Sequence, residues 1–370
     1  MLTRREQGLA AAAVAVLLAG IAGSGSVGHP VVTVAPAAEA RISLPAPTSL
    51  PVPKPTAARR ARVAKPRPLV RTPVAPAPPL AGCPIPKRPP STYHPVPLGP
   101  PAVADAALPA PLPARAKASS LSAVRGKGLW VTPWVKTDVD VRSLVAQAKR
   151  AGVHSLWIRT GGTRQGYYGN HFLPQLVPAA HAAGLVVVAW DFPFLSDPVA
   201  DARRAQQALD GGVDAFSPDV ETAAEGTYTT PRRLAVYLSL VRAYAGGRPV
   251  VATVPRPTRQ KSAFPYQAFL PYADVFAPMV YWSCLEPGAL VTASIKRLGA
   301  LLPVAPIGQA YDMGGEGGRV GTPSRLETLR FLDAARRGGA IGASLWTVEQ
   351  AGPGQLQALR DYSWASASHR

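Results

Sequence analysis

Eight short apolar runs, separated by helical segments at roughly 30-residue intervals over about the last 240 residues, predict an α/β chain folded as a (β/α)8, or TIM, barrel. Pro at helix starts and Gly just past helix ends give the same punctuation. A compositional break marks where the barrel begins: of the 42 prolines, 24 precede Lys127. An open doubly wound sheet is the competing architecture, but it would use fewer strands and a Gly-rich first turn, which the opening run GLWVTPW lacks.

The predicted strands are Gly128 to Trp134, Val153 to Thr160, Leu185 to Trp190, Val213 to Glu221, Pro249 to Pro255, Ala273 to Trp282, Val304 to Tyr311 and Ala340 to Val348. Between the first two, Leu144, Val145 and Ala148 recur at helical spacing; after the fourth, Leu234, Tyr237, Leu238 and Val241 form one helix face. Asp197-Pro198, Thr230-Pro231 and Thr322-Pro323 read as helix starts, and Gly152, Gly184, Gly211, Gly246 and Gly338 as helix ends.

What precedes the barrel is of another kind. Arg4 and Arg5 are followed by the uncharged run Leu9 to Ala22 and then by small residues, the pattern of a secretory signal over 1–28. The run is shorter than the roughly 20 residues of a membrane span, with an uncleaved signal anchor as the alternative. Residues 29–126 alternate Pro, Ala, Val and basic side chains and have no apolar periodicity. They are expected to be a disordered linker, and 127–370 the barrel. Before Lys127 there are 15 Lys and Arg against 3 Asp and Glu; from there on, 25 against 18. The net charge of +19 therefore sits mainly in a segment too proline-rich for a recognition helix, so nucleic acid is not the expected partner. Anionic cell-wall polymers or lipid head groups are, and the protein is expected outside the cytoplasm, at the cell envelope. Cys83 and Cys284 can form a bridge across the domain or remain two thiols; both readings stand.

In such barrels the chemistry sits at the C-terminal ends of the strands. Those ends supply Trp134, Arg159, Trp190, Asp191, Asp219, Glu221, Thr253, Tyr281, Trp282, Gln309, Tyr311, Asp312, Trp346 and Glu349. Asp219 and Glu221, two residues apart, leave an extended strand on the same face. Carboxylates ringed by Trp and Tyr suit a sugar: ring faces stack on aromatics while acids meet the polar rim. The other chemistries are less well served. His154, His171 and His181 fall at strand starts or in helices, away from a metal site at the mouth. Gly314 to Gly318 carries an acid and has no matching turn after the last strand, so it reads as a mobile lip rather than a phosphate cradle. No nucleophile elbow is present. Neither metal nor cofactor is expected.

The stretch DAFSPDVE, Asp214 to Glu221, resembles the D-x-x-D-x-D-x-E motif of family 18 glycoside hydrolases, the chitinases and endo-N-acetylglucosaminidases. Asp214, Asp219 and Glu221 match three of its acids, and Ser217 replaces the fourth. Met279-Val280-Tyr281 is similar to that family's M-x-Y, and Trp346 stands where the family keeps a Trp under the reactive sugar. Trp282 replaces a usual Asp, and Gly161-Gly162 comes one strand earlier than the family's S-x-G-G. The shorter D-x-E also resembles family 25 lysozymes, though Trp134 occupies the region where that group has an Asp. The family 18 likeness implies retaining, substrate-assisted hydrolysis, with Glu221 as general acid and then base, Asp219 and Tyr281 holding an N-acetyl group, and Trp346 as floor. Ser217 implies weak activity. A direct two-carboxylate mechanism pairing Glu221 with Asp312 or Asp191, a catalytically inactive carbohydrate-binding barrel, and a Glu221 merely ion-paired with Arg159 are the alternatives.

Overall fold

The computed structural model describes residues 76–84, 116–117, 120–133, 139–257 and 264–364. The chain divides into two units, Met1–Val70 and Arg71–Arg370, the first of which lies outside the described residues. The expected leader at 1–28, most of the linker at 29–126, and Trp134 lie outside them too.

In chain order the second unit runs β1 (Gly126–Val131), α1 (Val141–Arg150), β2 (Ser155–Gly162), β3 (Gly166–Tyr167), α2 (Leu173–Ala182), β4 (Val186–Phe192), α3 (Pro198–Asp210), β5 (Ala215–Pro218), α4 (Pro231–Ala245), β6 (Val251–Pro255), β7 (Val275–Val280), α5 (Pro287–Leu298), β8 (Ile307–Gln309), α6 (Arg325–Arg337), β9 (Gly342–Trp346) and α7 (Pro353–Asp361). The sheet order is β5-β4-β2-β1-β9-β8-β7-β6, all parallel, with β3 an antiparallel flap on β2. Closure comes between β5 and β6, where Phe216 N–H donates to Pro249 O (3.1 Å) and Val220 N–H to Thr253 O (3.0 Å). The eight predicted strands thus form a (β/α)8-type barrel. One connection differs from expectation: between β6 and β7 the described residues hold only a 3-10 turn, Tyr266–Phe269.

Strand alternation sorts the core into two layers. Trp130, Trp157, Val188, Trp190, Val251 and Ile307 fill the barrel's interior, while Leu129, Leu156, Phe216, Phe276 and Leu345 pack outward against the helices. A 3-10 turn at Ser120–Val124 brings Ala123 and Val124 into the interior cluster. Residues 76–84, within the expected linker, lie along the segment after β7: Leu80 N–H donates to Cys284 O (2.7 Å) and Glu286 N–H to Pro78 O (2.9 Å). Cys83 and Cys284 are joined as a disulfide with Cα atoms 5.6 Å apart, which settles the choice left open above.

The helix signals act as local chemistry requires. Asp197 and Thr230 cap α3 and α4 through their side chains, each with Pro at the first helical position. Thr322-Pro323, in contrast, lies ahead of the true start: Ser324 caps α6, and Glu327 closes a capping box back onto it. No helix among the described residues is long and apolar enough to cross a membrane.

Candidate functional site at the barrel mouth

The exit of β5 carries the two acids. Ala215 faces inward and Phe216 outward. Ser217 turns in, its hydroxyl donating to Val251 O (2.8 Å) and lying 2.8 Å from Thr253 Oγ1. Continuing the alternation, Val220 packs into the outer layer, so Asp219 and Glu221 belong to the inner face.

Asp219 is buried, with 7% of its surface exposed, and its Oδ1 has no hydrogen-bond partner among the described residues. Burial pushes its carboxyl from an ordinary 3.8 up to about 7; Arg159 works against that rise, and Asp191 and Glu225 add to it. Half-buried Glu221 follows at the strand's exit.

Across the mouth stand two phenols. Tyr281, at the exit of β7, meets Tyr311, after β8, edge to face at 5.4 Å. Burial holds the Tyr281 hydroxyl well above its ordinary range, and the charges of Asp219, Glu221 and Glu316 reach it. The Tyr311 hydroxyl donates to Glu316 Oε2 (3.1 Å), and it too is pushed up, first by burial. Glu316 sits on the Gly-rich turn after β8; its residue surface is exposed, yet its carboxyl is turned in onto Tyr311, and burial there raises its pKa. Below these groups Trp346 meets Trp190 edge to face (5.1 Å) and Trp130 at a tilt (5.5 Å), and its peptide bond to Thr347 is cis. Arg159 lies over the Trp190 ring at 5.2 Å.

Other residues named from strand ends lie elsewhere. Asp191 turns outward, fully buried, and pairs with Arg204 of α3 (2.7 Å), which also holds Asp201 (2.6 Å). Trp282 turns outward onto Phe331 of α6, ring centroids 5.5 Å apart. Asp312 is exposed and accepts the Gly314 N–H (2.7 Å), a turn cap. Each immediately follows or precedes an inward side chain, Trp190, Tyr281 or Tyr311, and strand alternation lets only one of two neighbours face the mouth. Asp191 and Asp312 are accordingly not placed to pair with Glu221 in a direct two-carboxylate mechanism. Gln309 is fully buried with both ends committed, Oε1 to Ser283 N–H (2.8 Å) and Nε2 to Tyr311 O (3.0 Å). Exposed Glu349 accepts from Thr132 N–H (2.5 Å) and from the Thr347 hydroxyl, fastening β1 to the end of β9. Asp214 sits at the opposite end of β5, accepting the Val187 N–H (2.7 Å) with His181 Nε2 at 2.9 Å. Glu316 escaped the strand-end reading because it stands on a loop; an acid within a glycine run directly after a strand was its signal.

No family model matches the chain, and no curated protein sequence matches it. Among solved structures it is similar to the Bacillus cereus spore cortex-lytic enzyme SleL, with a TM-score of 0.49 and 12% identity over 65% of this chain and 74% of that one. It is also similar to a family 18 chitinase, ChiB, from the chitin utilization locus of Flavobacterium johnsoniae (0.48, 11%, covering 64% and 93%). A third is a family 18 N-acetylglucosaminidase from Paenibacillus barengoltzii (0.48, 11%, covering 64% and 99%). At such identities the likeness is one of fold alone.

Proposed function

We propose that this barrel hydrolyses O-glycosidic bonds in a polysaccharide containing N-acetylhexosamine, with Glu221 as general acid and base. The observation that carries the reading is the pairing at the β5 exit: a buried aspartate with an unpartnered oxygen, Asp219, followed two residues on by Glu221 on the same face, opposite a buried phenol. In the proposed reaction Glu221 gives its proton to the glycosidic oxygen as the C–O bond breaks. The substrate's own acetamido oxygen closes on the anomeric carbon, forming a cyclic oxazolinium ion. The Glu221 carboxylate then takes a proton from the water that opens this ring, so the configuration is retained. Asp219 accepts the acetamido N–H and balances the charge of the ring, the Tyr281 hydroxyl donates to the acetyl oxygen, and Trp346 stacks beneath the sugar.

A second reading has its own support. Ser217 stands directly behind Asp219 and is fully engaged within the barrel wall, so no carboxylate lies there to exchange a proton with Asp219. On this reading the barrel binds glycans without turnover. Incubating the protein and its Glu221→Gln form with N-acetylglucosamine oligomers and peptidoglycan separates the two: products from the parent alone support hydrolysis, whereas binding without products from either supports the binding barrel. We further read the basic segment before the barrel as an exported spacer that contacts anionic wall polymers or lipid head groups. Mass spectrometry of the N-terminus of protein recovered from its native host tests export; an intact Met1 in the cytoplasmic fraction would remove it.

A further inference from the structure

The two walls of the mouth differ in charge. On the side of β7 and β8 stand tyrosines and Glu316. On the other side, the sheet order β5-β4-β2 sets the exits of those three strands next to one another: β2 and the turn after it bring Arg159 and Arg164, the exit of β4 brings the rings of Trp190 and Phe194, and Tyr228 and Arg233 follow β5, whose exit also carries Asp219 and Glu221. Arg159 lies over Trp190 at 5.2 Å, Arg164 over Phe194 at 5.1 Å and Arg233 over Tyr228 at 5.4 Å. None of the three has a carboxylate in ion-pair contact among the described residues. Other arginines do, among them Arg204 with Asp191 and Asp201, Arg242 with Asp274 and Arg319 with Glu327, while Arg248 donates to backbone carbonyls.

The wall is also built rigidly. Phe194 N–H donates to Thr163 Oγ1 (2.7 Å) and Leu195 N–H to Asp201 Oδ2 (2.7 Å). Arg233 Nη1 donates to Leu195 O (2.7 Å) and Ser196 O (3.2 Å), and Tyr228 N–H to Phe194 O (2.8 Å). Those bonds hold Leu195 at φ 59°, a conformation a branched-chain residue keeps only when its surroundings impose it. Gly162 leaves the space that Arg159 uses: a Cβ there would stand 2.9 Å from Nη2. Three loops are thereby cross-linked into one surface, with exposed Tyr228 and Arg164 at its outer edge.

We propose that this wall is a preformed shelf for the acid-bearing units of an anionic polysaccharide, the ring-backed guanidinium groups meeting carboxylate or phosphate and exposed Tyr228 offering its face to a sugar ring. A neutral glycan would need the rings but not three cations lacking acid partners, whereas planar guanidinium donors match carboxylate and phosphate two at a time. Glu316 on the far wall and Asp219 and Glu221 at the β5 exit repel the same groups, so the acid-bearing units are directed to the β2 and β4 side of the mouth. The proposal deepens the hydrolase reading and rests on it for where the chain is cut; binding by the shelf stands independently of turnover.

Its test uses the full chain carrying Glu221→Gln, so that nothing is consumed. Affinities are measured for polygalacturonate, for poly(glycerol phosphate) and for the neutral N-acetylglucosamine hexamer, at low and high salt. Arg164→Gln and Tyr228→Ala change exposed side chains. Arg337→Gln removes the same charge from an exposed position at the opposite end of α6, controlling for the basic chain's general attraction to polyanions. Loss of about tenfold in affinity for one anionic polymer in Arg164→Gln, with no loss in Arg337→Gln, is the expected result, and the polymer affected distinguishes carboxylate from phosphodiester. Equal losses in both variants, no loss in either, or no binding of either polyanion overturns the shelf. Shelf-dependent binding without hydrolysis by the parent would remove the hydrolase and keep the shelf. Hydrolysis of the neutral hexamer with no effect of Arg164→Gln on binding would do the reverse.

Discussion

Asp219, at the exit of the barrel, is treated in the opposite way to the aspartates of the entry end. At the entry end Asp214, just before β5, accepts a backbone N–H and faces His181, and Asp274, before β7, accepts from Arg242 (2.6 Å), Val250 N–H (2.8 Å) and Ala116 N–H (3.0 Å). At the exit end Asp219, just past β5, keeps an oxygen without a partner among the described residues and a pKa near 7. Entry-end carboxylates accept hydrogen bonds and fasten strands to helices. Asp219 is buried at a cost that Arg159 offsets only in part, which is how a fold reserves a group for a ligand.

Four substitutions probe this contrast. Glu221→Gln is expected to lower turnover by about 10³-fold, the usual worth of a general acid, while the barrel stays folded by far-ultraviolet circular dichroism. Asp274→Asn should lower stability by about 3 kcal/mol, since it leaves the fully buried Arg242 without its counter-charge; denaturant titration reads this directly. Asp219→Asn is expected to do the opposite. A carboxyl whose pKa rises from 3.8 to about 7 on folding lends stability that is complete below about pH 4 and is lost as the pH climbs through 7. The Asn form should therefore match the parent near pH 4 and exceed it by up to about 4 kcal/mol at pH 8. A parent whose stability does not fall between those pH values would break the contrast. The smallest effect is that of Asp214→Asn, about 0.5 kcal/mol, because the exposed His181 contact is weak and an amide oxygen still accepts the Val187 N–H.

The barrel itself was legible because apolar runs, Pro starts and Gly stops are local signals. Even there, Thr322-Pro323 drew attention from the better start two residues later, where Ser324 and Glu327 spell a capping box. At the mouth, i and i+2 spacing was enough to put Asp219 and Glu221 on one face. Asp191, Trp282 and Asp312 were gathered with them although each adjoins an inward neighbour, and the pleat turns adjacent side chains apart. What stayed hidden depends on distant partners. Nothing local says that Arg164 lies on Phe194, that Glu316 bonds Tyr311, or that the apolar residues Ala123 and Val124 enter the barrel's base.

The bond between Cys83 and Cys284 spans a sequence separation of 201 and joins the segment ahead of the barrel to the rim just past Tyr281, making β1 to β7 part of one covalent ring. Mechanically, the domain is hung by its mouth. A pull on the chain ahead of residue 76 meets first the hydrogen bonds of Pro78 and Leu80 and then, covalently, Cys284, and bypasses β1, so tension would be felt beside the phenols before it could peel away a strand. Reduction leaves only hydrogen bonds at the rim, and once these part the same pull passes to Ala116, the Ser120–Val124 turn and then β1 at the opposite end.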